Sequence, residues 1–368
     1  MISQVVVVGA GPAGLAAAIH LARRDLQVTV LERAPSPPDK ACGEGLMPSG
    51  LAHLTAMGVR DRLKTHDCHP LKAVRYVQED GSSATGKLPS PGGLGIRRTA
   101  LAGALAEAAI AAGVRLVWNC RVEEHHCGSG GVRLSTSTGP VQADLLVAAD
   151  GLHSPVRRRA GLSLTPGVGR RFGVRRHFNC APGSDFVEVH LAAGREAFIT
   201  PVGPDLVGVA FLWDPTLWSP SGESDSVFIS LLESFPELKV RFAGVPAATL
   251  ARGAGPLAQP VSATVADRLV LIGDAAGYRD AITGEGLSLA FASAAALAAV
   301  VPEALDRGCT SSALRPYARA HARLFRHYAL VTDAVLAIAR RPGLRRPLIR
   351  WLGAQPVLLD RLVAWGLR

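Results

Sequence analysis

Apolar positions along this chain follow two rhythms, an unbroken or alternating one and a helical one. Near the start, "QVVVV" is a continuous apolar run, the pattern of a strand buried on both faces of a parallel sheet. "GAGPAG" then makes a turn, "LAAAIHLARR" has helical spacing, and "QVTVLER" reads as a second strand. A helix-like piece, "SGLAHLTAMGVRDRLKTH", leads into β-rich "AVRYVQEDG" and the loop "LPSPGG". "RRTALAGALAEAAIAAG" predicts a helix feeding a strand, and "ADLLVAADG" a strand ending in a turn. From about 170 to 262 apolar and polar residues alternate, as in "FVEVHL" and "LVGVAFLW", which predicts antiparallel sheet. "DRLVLIGD" returns to strand, "LSLAFASAAALAAVV" to a long helix, and the rest is helical.

Strand–helix alternation therefore occupies 1–70, 98–168 and 263–310, and β-rich sequence fills 71–97 and 169–262, with helices over 311–368. The predicted fold class is α/β: a discontinuous three-layer domain on a parallel sheet, an inserted antiparallel β-sheet domain for substrate, and a helical C-terminus. No internal repeat interrupts the plan.

Within the first turn, Gly9, Gly11 and Gly14 give G-x-G-x-x-G, and Glu32 ends the second strand. This is the layout of a dinucleotide-binding unit. Gly9 permits the tight turn, Gly11 lets backbone approach a pyrophosphate, and Gly14 lets helix and strand pack closely. The helix N-terminus then faces the phosphates. Glu32 can accept hydrogen bonds from a ribose diol, and its charge repels a 2′-phosphate.

Composition narrows the classes. Of 368 residues, 48% are apolar and 19% charged, which fits a globular chain. Aromatics are only 5%, so no base-stacking platform for nucleic acid is expected. Six cysteines (Cys42, Cys68, Cys120, Cys127, Cys180, Cys309) are scattered without a C-x-x-C; free thiols are expected, with no metal site and no disulfide scaffold. The N-terminal apolar stretch lacks a basic flank and is broken by glycines, unlike a signal peptide. "LSLAFASAAALAAVV" falls short of the roughly 20 residues that cross a bilayer. A cytoplasmic protein is expected.

The net charge of +10 is mostly arginine. From Arg315 to Arg368 there are eleven arginines and two aspartates, interleaved with leucines, valines, Trp351 and Trp365. Basic amphipathic helices of this kind can lie on an anionic membrane; the alternative is a helical cap with arginines in solvent.

Three separated motifs, in order, carry a resemblance over nearly the whole length. They are the glycine turn with Glu32, "AADGLHSPVR" with Asp150 and Gly151, and "LIGDAAG" with Gly273 and Asp274. Together they resemble the flavoprotein hydroxylase superfamily of the p-hydroxybenzoate hydroxylase fold. The resemblance implies FAD, reduced by NADH or NADPH. It implies cofactor contacts at Gly9, Gly11, Pro12, Ala13, Gly14, Glu32, Arg33, Cys42, Gly43, Arg98, Val122, Asp150, Gly151, Gly273, Asp274, Gly284, Glu285 and Gly286. Asp274 would bind ribityl hydroxyls; read only from its place after "LVLIG", it could instead cap the next helix. Ser154 is expected to cap the short basic helix "PVRRRAG".

Two stretches point to one branch. "RDAITGEGLSLA" resembles the T-G-E-G of geranylgeranyl reductase-like proteins, with Gly277 where aromatic hydroxylases carry a histidine. "KACGEGLMPSG" is similar to that branch's Cys-Gly loop over the flavin. Cys42 and Glu44 are the catalytic candidates, each able to donate a proton, with Glu44 alternatively fixing the loop through backbone amides. Flavin-dependent halogenases carry a related loop, but their tryptophan-rich motif is absent, the region reading "REAFITPVG". The intact fingerprints also argue against a non-catalytic prenyl-binding protein. The expected activity is an FAD-dependent monooxygenase or hydroxylase acting on a hydrophobic small molecule, the alternative being reduction of prenyl double bonds. Substrate, nicotinamide donor and oligomeric state are not fixed by the sequence.

Overall fold

The computed structural model describes residues 2–165 and 170–367; the expected boundary at 168/169 and Arg368 lie outside them. The chain opens with β1 (Ile2–Val8), α1 (Pro12–Ala22) and β2 (Val28–Leu31), then β3 (Gly45–Leu46) and α2 (Pro48–Ala56). A first β segment follows: β4 (Cys68–Leu71), β5 (Ala73–Gln78), β6 (Ser83–Lys87) and β7 (Gly93–Ile96). The chain returns through α3 (Arg98–Ala111), β8 (Arg115–Val117), the hairpin β9 (Val122–Gly128) and β10 (Gly131–Thr136), β11 (Val141–Ala148) and α4 (Pro155–Arg159). A second β segment contains β12 (Phe172–Asn179), β13 (Phe186–Ala192), β14 (Arg195–Gly203) and β15 (Leu206–Trp213), then α5 (Ser224–Glu233), α6 (Pro236–Arg241) and β16 (Arg252–Ala254). It closes with β17 (Val265–Ala266), β18 (Leu269–Leu271), α7 (Gly286–Asp306), α8 (Ser311–Ala339), α9 (Pro342–Gly353) and α10 (Pro356–Gly366).

The first sheet is centred on the parallel order β18-β11-β1-β2-β8. Its valine run divides by strand alternation. Val5 and Val7 pack with α1, α3 and α7, while Val6 and Val8 pack with the β9–β10 hairpin side. Being buried on both faces, β1 needs a continuous apolar sequence, which explains "VVVV". Helix α7 is 21 residues long and apolar enough to cross a bilayer by composition. Here it packs against α1, α2 and α8 as a core helix.

The second sheet has the order β16-β12-β15-β14-β13-β5-β6. It is antiparallel except for β5–β13, which pair parallel from Ala73↔Phe186 to Gln78↔Leu191. Those two strands come from different β segments, so no hairpin imposes antiparallel pairing. A second departure from the sequence reading is α5 and α6, where alternating strand was expected. Val227, Phe228, Leu231, Phe235 and Leu238 recur at helical spacing and bury against Phe178 and Phe211 of the sheet. Pro236 starts α6 at a position where its missing N–H costs nothing.

The C-terminal helices close the β5–β6 edge. Asp360 accepts the Lys87 backbone N–H at 2.6 Å, and a side chain at Gly86 would sit 2.8 Å from Val363. Buried Arg345 reaches Gln78, Glu79 and the carbonyls of Ala192 and Ala339. A small third sheet, β3-β7-β4, lies against β14, where a Cβ at Gly95 would fall 1.7 Å from the Pro201 carbonyl oxygen. Gly95→Ala is therefore expected to destabilise the protein by at least about 3 kcal/mol in denaturant unfolding. Gly103→Ala, inside α3 with open space around it, should instead stabilise by about 0.5–1 kcal/mol.

Candidate active site

The C-terminal ends of β1, β11 and β18 lie side by side, and each carries one of the three motifs. Gly9 has φ +107°, and a Cβ there would stand 2.5 Å from the Ala149 carbonyl oxygen. A Cβ at Gly14 would be 2.0 Å from the Gly9 oxygen, so helix, turn and strand touch backbone to backbone. Gly273, φ +60°, approaches Ala13 so closely that its Cβ would lie 2.6 Å from the alanine methyl. The buried Glu32 carboxylate accepts N–H bonds from Ala10 (2.8 Å) and Ala34 (3.0 Å), tying the turn to the end of β2. Helix α1 starts at Gly11 with no side-chain cap, which leaves N-terminal amide groups for a phosphate.

The two aspartates are held differently. Asp150 Oδ2 accepts the Val156 N–H at 3.0 Å, whereas its buried Oδ1 has no protein partner. Burial raises the Asp150 and Asp274 carboxyls above the ordinary range, opposed at Asp274 chiefly by Arg98 and Lys40. Asp274 does not cap the next long helix, which starts only at Gly286. Ser154 caps α4 as expected, its hydroxyl accepting the Arg157 N–H at 2.9 Å.

Two residues that sequence reasoning passed over complete this end. Buried Arg157 donates to the carbonyls of Asp274, Ala275 and Leu152 and to Gln259 Oε1, fastening the second motif to the third. Lys40 lies between Arg98, Glu32 and Asp274, its ammonium pushed down mainly by burial. "PVRRRAG" gave a signal for a helix but none for which arginine turns inward.

One cavity of about 1230 Å³ runs from this turn into the space between the second sheet and the C-terminal helices. Gly11, Pro12, Ala13, Arg33, Cys42, Gly43, Glu44, Arg98, Asp150, Gly151, Gly273, Asp274, Gly284, Glu285 and Gly286 all line it. Gly9, Gly14 and Glu32 stand behind the wall, shaping the turn. Val122 is not brought to it: it pairs with Thr136 in the hairpin and packs in the cluster below.

Midway along the cavity, Cys42 Sγ accepts a hydrogen bond from the Glu44 N–H at 3.4 Å. Beside it, a Cβ at Gly43 would meet nothing within 4 Å. The same cavity is lined by Gly284, φ +71°, and Glu285, the N-cap residue of α7. Glu285 Oε1 is buried without a hydrogen-bond partner, and burial pushes the carboxyl up to about 7. Beyond lies an apolar chamber walled by Val74, Val187 and Val189 from the sheet and by Val335, Ile338, Ile349, Leu352 and Leu359 from α8–α10. Among the described residues no His/Cys/Asp/Glu group could hold a metal ion.

A glycine cradle, an uncapped helix N-terminus and an unpartnered Asp150 oxygen suit the pyrophosphate and hydroxyls of FAD. The FAD binding domain family matches residues 3–213, more than half of the chain. Menaquinone reductase of Mycobacterium tuberculosis is 29% identical, covering 77% of this chain and 73% of its own. Digeranylgeranylglycerophospholipid reductase of Methanothrix thermoacetophila is 28% identical over 83% of this chain and 79% of its own. A 6-methylpretetramide 4-monooxygenase of Streptomyces rimosus is 33% identical over 44% of this chain and 41% of its own. The halogenase PltM, solved in complex with phloroglucinol and FAD, shares the fold at TM-score 0.81 and 18% identity over 92% of this chain and 76% of that one. The chain belongs to the FAD binding domain family and is an FAD-dependent oxidoreductase.

Proposed function

We propose that this enzyme, with FAD reduced by NADH or NADPH, saturates a carbon–carbon double bond in a long apolar small molecule of isoprenoid type. The observation that carries this reading is the chamber beyond Cys42. Its walls are mainly apolar, with Val74, Val187, Val189, Ile338, Ile349 and Leu352 alongside Tyr76 and Phe198, and Cys42 and Glu285 line the same cavity. Such walls favour an alkyl or prenyl chain by the hydrophobic effect alone and exclude water from the reacting carbons. The glycine turn, Arg98, Asp150 and Asp274 would hold the cofactor, which when bound supplies the hydride. Reduction of an isolated alkene also needs a proton, and two donors stand at the wall. Glu285 is the better placed chemically, because burial raises its carboxyl to about 7, so a large fraction still carries its proton near neutral pH. Cys42 is the second candidate.

Hydroxylation, the reaction toward which the sequence leans, is the alternative, favoured by the S. rimosus monooxygenase among the relatives. We also place the C-terminal helices against an anionic bilayer on its cytoplasmic side. Trp351, Val357, Leu362 and Trp365 are 46–63% exposed there, alongside the arginines of α8–α10. Leu362 also lines the cavity, so a membrane lipid would meet the chamber mouth directly.

Three outcomes test these readings. Under anaerobic conditions with NADH or NADPH and a prenylated quinone or geranylgeranyl lipid, mass spectrometry should find product heavier by two hydrogens. Product that gains an oxygen atom and forms only in air would sink the reductase reading. Sedimentation should carry the protein down with phosphatidylglycerol vesicles at low salt and not with phosphatidylcholine vesicles, and high salt should release it.

Glu285 gives the third. Its folded-state pKa is raised from 4.5 to about 7, so its favourable contribution is complete below its ordinary value and is lost as pH rises through about 7. Glu285→Gln should match the parent in stability at about pH 4 and exceed it by roughly 3 kcal/mol at about pH 8. If Glu285 is the donor, the variant should also lose the alkaline limb of the rate profile centred near that pKa.

A further inference from the structure

The Cys42 loop is not part of either large sheet, yet it is held from three sides. On β12, Arg175 and His177 stand two residues apart on one face and are both fully buried. His177 Nε2 lies 2.5 Å from Glu44 Oε2, and its Nδ1 lies 3.0 Å from Thr249 Oγ1. Arg175 donates to the Asp39 carboxylate (2.5 Å) and to the Lys40 carbonyl (2.8 Å). The other Glu44 oxygen, Oε1, accepts the Arg98 backbone N–H at 2.8 Å, with Arg97 Nε 3.9 Å away. One carboxylate thus joins the loop to the second sheet and to the first residue of α3, which carries a cavity arginine.

The backbone explains why such fastening is needed. Glu44 has φ +57°, a left-handed conformation that costs a non-glycine residue about 1–2 kcal/mol. In that conformation its N–H points at Cys42 Sγ, so the strain and the thiol's direction are one feature. A buried cluster of Glu44, His177 and Arg175 is a poor source of stability, since desolvation offsets most of its attraction. Desolvation is large enough here to push His177 down despite the adjacent carboxylate. What the cluster provides is geometry.

We infer that Glu44, His177 and Arg175 form a clamp that sets the Cys42–Gly43–Glu44 turn against the cofactor cavity, making Glu44 a positioning residue and not a proton donor. The inference rests on the reading that this cavity holds FAD, but its first readout does not.

The test measures the iodoacetamide alkylation rate of Cys42 by peptide mass spectrometry, with Cys68 and Cys180 as internal controls, and FAD affinity by fluorescence titration. Glu44→Ala and His177→Ala should each change the Cys42 rate by about tenfold and weaken FAD by about tenfold, leaving the control cysteines unchanged. His177→Gln, whose amide can still donate to Glu44, should restore both values to within about threefold of the parent. Glu44→Gly accepts the left-handed conformation without cost and should still lose the clamp. Parent-like Cys42 alkylation in Glu44→Gly would overturn the inference, because the turn would then need no carboxylate. So would a Glu44→Gln variant that loses the pH dependence of turnover while alkylation and FAD affinity hold. A changed Cys42 rate with no FAD binding in the parent would refute the cofactor reading and leave the clamp standing.

Discussion

Close contact of glycines with backbone, and of Gly273 with the Ala13 methyl, at the ends of β1, β11 and β18 is the constraint on which the rest depends. Side chains at Gly9, Gly14 or Gly273 would stand 2.0–2.6 Å from neighbouring atoms, distances that no repacking of a flexible group relieves. Because those turns close so tightly, the uncapped start of α1 and the Asp150 and Asp274 carboxyls converge on one end of one cavity. Glu32 and Arg157 then fix the turns by accepting or donating to backbone, so the cradle is rigid without a ligand to shape it.

Charge at that end is arranged against desolvation. The Asp150 and Asp274 carboxyls line the cavity, with Arg157 acting on both and Arg98 and Lys40 on Asp274. Each cation lowers the cost of the anions beside it, and each anion that of the cations. Further along, the polarity drains away: Glu285 has a buried oxygen without a partner, and past it the walls are mainly apolar. A single cavity therefore joins the glycine turns and their carboxyls to an apolar space, with Cys42 and Glu285 also in its lining.

The apolar chamber is built late in the chain. Sheet strands β5 and β13 supply one wall, and helices α8–α10 supply the other by closing on β6 through Asp360 and the glycines at 86 and 353, and on β5 and β13 through Arg345. Lys87 and Asp360, 273 residues apart in sequence, thus meet at the edge of one enclosed space. The arginines of the last helices divide accordingly: Arg345 is a buried fastener, while Arg346 and Arg350 pair with Glu79 and Asp80 at the surface. The sequence showed a basic amphipathic tail but could not tell these roles apart.

What the sequence determined by itself was local. The valine run, the G-x-G-x-x-G turn, Glu32 at a strand end and Ser154 as a cap each follow from steric or hydrogen-bonding rules acting within about 20 residues. The α/β class follows from them, since parallel strands need helical crossovers. Tertiary structure alone decided the rest. The parallel β5–β13 pair, the inward turn of Arg157, the placement of Val122 in a hairpin and the partner of the Glu44 carboxylate all depend on contacts across the chain. Glu44 and His177 are 133 residues apart, and no periodicity or motif connects them. Their meeting is fixed only when β12 is registered in its sheet and the Cys42 loop is laid across it.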